Sequence, residues 1–172
     1  MALIFVDCEA YGGAPATGRL TEFGAVEFKT GKSFYAQIVE TKPDPKNPAV
    51  PLPVTEVNIE REKHIFQTFE AWLKLFPGRP IFISDNNGFD WQWINDGFWR
   101  HLGYNPFGHS SRRIGDFYAG VMKDFRAASK WKRYRITPHD HNPVNDARGN
   151  VEAFRKILEI SGVDWRGTST AS

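Results

Sequence analysis

The sequence predicts an α/β fold, a central mixed β-sheet flanked by α-helices, and three observations lead there. Leu3-Ile4-Phe5-Val6 is an unbroken apolar run, as expected of a central strand buried on both faces. Ile81-Phe82-Ile83-Ser84 is a second short run, set off by the breaker Pro77-Gly78-Arg79-Pro80. Elsewhere apolar residues recur at helical spacing, most clearly at Ala147, Val151, Phe154 and Leu158. At 172 residues and 41% hydrophobic content the chain is long enough for one sizeable core and short for two. The expectation is one domain over 1–165 and a small, polar, frayed tail over 166–172.

The elements follow in order. After the first strand, Glu22 to Phe28 and Ser33 to Val39 are alternating, β-rich runs around Lys29-Thr30-Gly31-Lys32, which predicts a hairpin extending the first strand's sheet. Pro43, Pro45, Pro48, Pro51 and Pro53 predict an irregular crossing. Ile65, Phe69, Trp72, Leu73 and Phe76 then mark an amphipathic helix that should cover the sheet. Beyond Ile81 to Ser84, the turn-rich stretch Asp85 to Gly88 leads into a helix whose core face is Phe89, Trp93, Ile94, Phe98 and Leu102. Pro143 opens the last helix.

Three pieces of chain carry chemistry. Side chains alternate along a strand, so Asp7 and Glu9 at the end of the first run converge on one side while Cys8 faces away. Such a pair of carboxylates suits Mg²⁺ or Mn²⁺, and two such ions roughly 3.5–4 Å apart stabilise the attacking and leaving oxygens of phosphodiester hydrolysis. Alone, an Asp-x-Glu is more often a pair of solvated acids. Asp90 falls in a helix's first turn, where the helix dipole by itself favours an acid. His141 precedes the last helix and Asp146 lies in its opening turn, so the histidine is placed to take a proton and the aspartate to ligate a metal. His139 competes with His141, and only spacing separates them.

The order Asp7-x-Glu9, Asn86-x-x-x-Asp90, His141-x-x-x-x-Asp146 resembles the DEDDh 3′–5′ exonucleases, which include RNase T, oligoribonuclease and the DNA polymerase III epsilon proofreading subunit. The resemblance covers about residues 3 to 160. It implies a ribonuclease H-like fold and release of nucleoside 5′-monophosphates from the 3′ end of single-stranded RNA or DNA. It further implies two divalent cations, Mg²⁺ or Mn²⁺, held by Asp7, Glu9, Asp90 and Asp146, with Asp7 shared between them and His141 as general base. The sister group with tyrosine would carry it at position 142, which here is Asn142. By the same resemblance Ala10, Tyr11 and Asn86 are candidates for contact with the terminal nucleotide. This chain departs from many members in having Asp85 where they have His before the Asn, and Ala10-Tyr11-Gly12-Gly13 where they have a Thr-rich stretch.

A formal charge of +2 is too small to argue nucleic-acid binding from the whole molecule. Its distribution is uneven, however: Lys130-Trp131-Lys132-Arg133-Tyr134-Arg135 interleaves four cations with two aromatics just before His141. The expectation is that Lys132, Arg133 and Arg135 follow a phosphate backbone while Trp131 or Tyr134 stacks on bases, against the plainer reading of solvated loop charge. Arg112-Arg113 is a weaker candidate of the same kind. No run approaches the roughly 18 consecutive apolar residues of a membrane span, and the start of the chain lacks signal-peptide flanks, so a cytoplasmic protein is expected. One cysteine excludes an internal disulfide, and Cys8 reads as a core residue. The sequence leaves a homodimer open. A non-catalytic nucleic-acid-binding module would usually have lost one of the acids, and a ribonuclease H-like endonuclease would not be expected to share this motif order.

Overall fold

In a computed structural model describing residues 1–165, Leu3 to Val6 is the first half of a longer strand, β1 (Ala2–Tyr11). It is followed by β2 (Arg19–Glu27), β3 (Ser33–Gln37), β4 (Thr41–Pro43), β5 (Pro51–Pro53), α1 (Ile59–Leu73), β6 (Pro80–Ser84) and α2 (Asn87–Leu102). Then come β7 (Ser111–Arg113), α3 (Ile114–Met122), two 3₁₀ turns at Phe125–Ala127 and Lys130–Tyr134, and α4 (Pro143–Ser161). The expected fraying of 166–172 lies outside the described residues.

The main sheet has five strands in the order β3-β2-β1-β6-β7. It is mixed: β1 pairs antiparallel with β2 and parallel with β6, β2 pairs antiparallel with β3, and β6 pairs parallel with β7. Alternation along β1 divides the core in two. Ile4, Val6 and Cys8 join Phe66, Phe69, Trp93, Ile94 and Phe98 beneath α1 and α2, whereas Leu3 and Phe5 join Ile114, Tyr118, Val151, Phe154 and Ile157 beneath α3 and α4. Phe5 is wholly buried against Phe28 and Phe154, and truncating such a ring to alanine costs about 3–5 kcal/mol.

The hairpin between β2 and β3 forms where expected, because the Glu27 carboxylate accepts from the Thr30 N–H and hydroxyl at 2.7 Å and closes the turn. The proline-rich crossing is more ordered than expected. Thr41 to Pro43 pairs with Pro51 to Pro53 as a small antiparallel ribbon, with prolines at its ends where fewer ladder bonds are needed. β7, α3 and the two 3₁₀ turns are short elements that the sequence reading left unassigned.

Two features aim α4 at the strand ends. Asn142 caps it, its side chain accepting from the N–H groups of Val144 and Asn145, and Pro143 occupies the first turn. Beneath that turn lies Gly24 of β2, the register partner of Asp7. A Cβ at Gly24 would stand 2.5 Å from the Pro143 carbonyl carbon and the Val144 nitrogen. The missing side chain therefore lets the start of α4 rest directly on the sheet.

Candidate active site

Pairing of β1 with β6 stops at Phe5 and Ile83, while β1 runs on to Tyr11 against β2. Asp7 and Glu9 thus lie inside a strand rather than at its end, on the stretch that outruns its parallel neighbour. This is the carboxyl end of the parallel pair, where open α/β sheets present their chemistry. Cys8 between them is turned into the core, and burial pushes its thiol pKa well up, which suits packing and not nucleophilic attack.

Other elements deliver the remaining acids. α2 brings Asp90, whose Oδ1 accepts from the Cys8 N–H at 3.1 Å and whose Oδ2 has no hydrogen-bond partner of good geometry although the residue is 2% exposed. α4 brings Asp146, which is wholly buried. Among the described residues the acids form two groups, Asp7, Glu9 and Asp146 in one and Asp7, Asp85 and Asp90 in the other, with ligand oxygens of each group within 4.8 Å of one another. Asp7 belongs to both. Asp85 was not anticipated as a site residue; it directly follows the run Ile81 to Ser84 as Asp7 follows Leu3 to Val6, and that parallel is the signal that could have found it.

Crowding of like charge away from water shows in the ionisation of these groups. Burial, then Asp90 and Asp146, raises the Asp7 pKa well above the carboxylate range. Burial and Asp85 push Asp90 up to about 8. Burial and the cross-strand neighbour Glu22 push Glu9 up to about 7. Carboxylates whose charge is this poorly compensated, one of them with an unpartnered buried oxygen, suit hard divalent cations.

Both histidines reach the cluster, by different acids. His139 Nδ1 lies 2.7 Å from Asp146 Oδ2, and His141 Nδ1 lies 3.5 Å from Glu9 Oε1. Their rings are 4.5 Å apart and each side chain is about half exposed, at 53% and 48%. His141 is held at φ +60°, an uncommon conformation for a residue with a Cβ. The Asp140 carboxylate fixes this bend by accepting from the Asn142 N–H at 3.0 Å and the Asn145 amide at 2.9 Å. Backbone strain of this kind persists where surrounding contacts over-determine it, commonly at functional sites.

The segment Lys130 to Arg135 departs from expectation. Trp131 is 1% exposed within the core beneath α3 and α4, so it offers no face for a base. Arg135 turns inward, its Nη2 2.6 Å from Asp146 Oδ1, and Lys132 Nζ lies 2.9 Å from Asp85 Oδ2. Two of the four cations therefore balance charge in the acid cluster instead of lining a separate groove. Arg133 donates to the Tyr118 and Tyr134 hydroxyls and covers the Tyr134 ring, which leaves that ring partly occupied. Arg113 donates to the Asp85 carbonyl and pairs with Asp116. Ala10 is half-buried and Tyr11 exposed at the end of β1 beyond Glu9, and Asn86, exposed, immediately precedes α2.

No protein-family model matches the chain. A curated relative, the 3′–5′ DNA exonuclease Cap18 of Escherichia coli, is 27% identical over 181 residues that cover 92% of each protein. Structures of E. coli exonuclease I share the fold. One in complex with a 5cy-dT13 oligonucleotide superposes with a TM-score of 0.56 at 14% identity, covering 92% of this chain and 40% of that one. The zinc-bound form of the exonuclease I complex with single-stranded DNA gives 0.55 at 16%, with the same coverage of 92% and 40%. The chain is thus similar to this relative over nearly its whole length and shares the fold of exonuclease I. The five-stranded mixed sheet with flanking helices is the ribonuclease H-like fold of these exonucleases. This chain spans about 40% of the length of exonuclease I. Among the described residues no helix is long and apolar enough to cross a membrane.

Proposed function

We propose that the protein is a metal-dependent 3′–5′ exonuclease of the histidine type acting on single-stranded DNA, with two divalent cations, Mg²⁺ or Mn²⁺, at the acid cluster. The observation that carries this reading is the sharing of Asp7 between two groups of carboxylates at the carboxyl ends of β1 and β6. Asp7, Glu9 and Asp146 would hold one cation, and Asp7 with Asp90 the other. When bound, a pair of cations stabilises the charge on the attacking and leaving oxygens of a phosphodiester.

The chain's own residues do the rest. His141 takes a proton from the attacking water as the water oxygen bonds to phosphorus; the bond to the 3′ oxygen breaks and that oxygen takes a proton from solvent, leaving a shortened strand with a 3′-hydroxyl and a nucleoside 5′-monophosphate. Asn86, Ala10 and Tyr11, at the rim of the acid cluster, would contact the terminal nucleotide. Lys130 and Arg133, exposed on the basic segment, would meet the backbone further along. DNA is preferred to RNA on the strength of the Cap18 relative, which acts on DNA by name.

The test is digestion of matched 5′-labelled single-stranded DNA and RNA with Mg²⁺, Mn²⁺ or chelator. A ladder shortening from the 3′ end, faster on DNA and abolished by chelation, is expected. Internal fragments, or cleavage that survives chelation, would overturn the reading.

A further inference from the structure

Asp85 sits in the acid cluster with a cation already against it. Its carboxylate is 14% exposed, its oxygen lies within 4.8 Å of oxygens of Asp7 and Asp90, and its other neighbour is the Lys132 ammonium at 2.9 Å. Two constraints hold it there. β6 carries it level with Asp7, and Arg113 Nε donates to its backbone carbonyl at 3.1 Å, pinning the turn into α2. Asp90, also of this group and 2% exposed, leaves its Oδ2 without a hydrogen-bond partner of good geometry. A buried carboxylate oxygen left unsatisfied is costly unless something positive comes to it.

The surroundings of Lys132 favour an exchangeable role. Its side chain is 58% exposed, so its head can swing into water at little cost, unlike the inward-turned Arg135, whose side chain is 8% exposed. An ammonium is a compact point charge on a flexible stem, which makes it a reversible occupant of a cation position.

We propose that Asp85 is an additional carboxylate of the second cation position, beside Asp7 and Asp90, and that Lys132 is a tethered counter-ion that holds Asp85 until a divalent cation displaces it. The inference rests on the two-cation reading above and adds to it a residue and an exchange. It follows that Asp85 and Lys132 act in opposite senses on metal affinity. Loss of the carboxylate weakens the second ion. Loss of the ammonium, which competes for the same oxygens, strengthens it.

The experiment counts bound Mn²⁺ by the electron paramagnetic resonance signal of the free ion, on wild type, Asp7→Asn, Asp85→Asn and Lys132→Met, with circular dichroism to verify the fold. Two ions are expected on wild type. Asp85→Asn should weaken the second by roughly 10–100-fold, the range seen when groups supporting metal ligands are removed, and leave the first in place. Lys132→Met should tighten the second ion, and it keeps the test open if Asp85→Asn fails to fold. Unchanged second-site affinity in a folded Asp85→Asn, or weaker binding in Lys132→Met, overturns the proposal while wild type still binds two ions and Asp7→Asn still loses them. Wild type that binds no Mn²⁺ overturns the two-cation reading itself and this inference with it.

Discussion

Arg135 Nη2 reaches Asp146 Oδ1 at 2.6 Å, with side chains only 8% and 0% exposed. The guanidinium also lies near the Asp146 carbonyl, Asn150 Oδ1 and the Thr137 carbonyl, at 3.3–3.4 Å. Gly149 makes room, since a Cβ there would stand 2.6 Å from Arg135 Nε. One Asp146 oxygen is thereby committed to Arg135, which leaves the other to face His139 and any cation.

Arg135→Met should therefore destabilise the metal-free protein by about 3–5 kcal/mol, the usual cost of leaving a buried charge without its partner. Urea unfolding measures it. Added Mn²⁺ should restore part of the loss by supplying positive charge at Asp146, and a loss under about 1 kcal/mol would show that the pair contributes little.

Asp7→Asn should abolish hydrolysis and raise the melting temperature of the metal-free protein, because it removes a buried carboxyl set against Asp90 and Asp146. Differential scanning calorimetry with chelator, beside a nuclease assay, checks both. Turnover near that of wild type in the folded variant would contradict the central role given to Asp7.

Stability of the metal-free protein should fall as pH rises from about 5 to about 8. The raised pKa values mean that the folded chain keeps protons after the unfolded chain has released them. The contribution of such a carboxyl is complete below its unfolded value and is lost as pH passes its folded value, about 7 for Glu9 and about 8 for Asp90. Melting temperatures across this range should decline with chelator and flatten with saturating Mg²⁺. A metal-free melting temperature that climbs over the same range would reverse the sign.

His141→Ala should lower the rate by roughly 10²–10⁴-fold, the range for a positioned general base, and leave Mn²⁺ binding largely intact. His139→Ala should be milder in rate, although His139 is the nearer of the two to a carboxylate, at 2.7 Å. A larger loss of rate in His139→Ala than in His141→Ala would transfer the base to His139.

Gly24→Ala should act at a distance from the acids. The new methyl would meet the Pro143 and Val144 backbone at 2.5 Å, so the start of α4 must lift and carry Asp146 with it. A cost of about 1–3 kcal/mol is expected from the overpacking. A displacement of about 1 Å at a catalytic group is worth on the order of 10²-fold in rate. Wild-type activity in this variant would show that α4 is seated more loosely than its contacts indicate.

The sheet and the two later helices were legible in the sequence because burial writes itself as period: Leu3 to Val6 as an unbroken run, Trp93, Ile94 and Phe98 or Val151 and Phe154 as a helical stripe. Asp7, Glu9, Asp90 and Asp146 could be brought together on paper because the first two directly follow the apolar run Leu3 to Val6 and the last two fall in first turns of helices that the pattern marks. What stayed hidden depends on distance between segments. No local signal says that Arg135 pairs inward while its neighbour Arg133 stays outside, or that Lys132 meets Asp85 across the chain. Trp131 looked like a stacking platform because its flanks are basic, yet the hydrophobic interior claimed it. The β4–β5 ribbon was missed because prolines argue against strands in general and only weakly against short edges.

The acid cluster draws on the first strand for Asp7 and Glu9 and on the last helix for Asp146. In the two-cation reading, a position that takes Asp7 and Glu9 from one end of the described chain and Asp146 from the other is assembled only when α4 has settled onto Gly24, so its metal affinity would report on the docking of that helix.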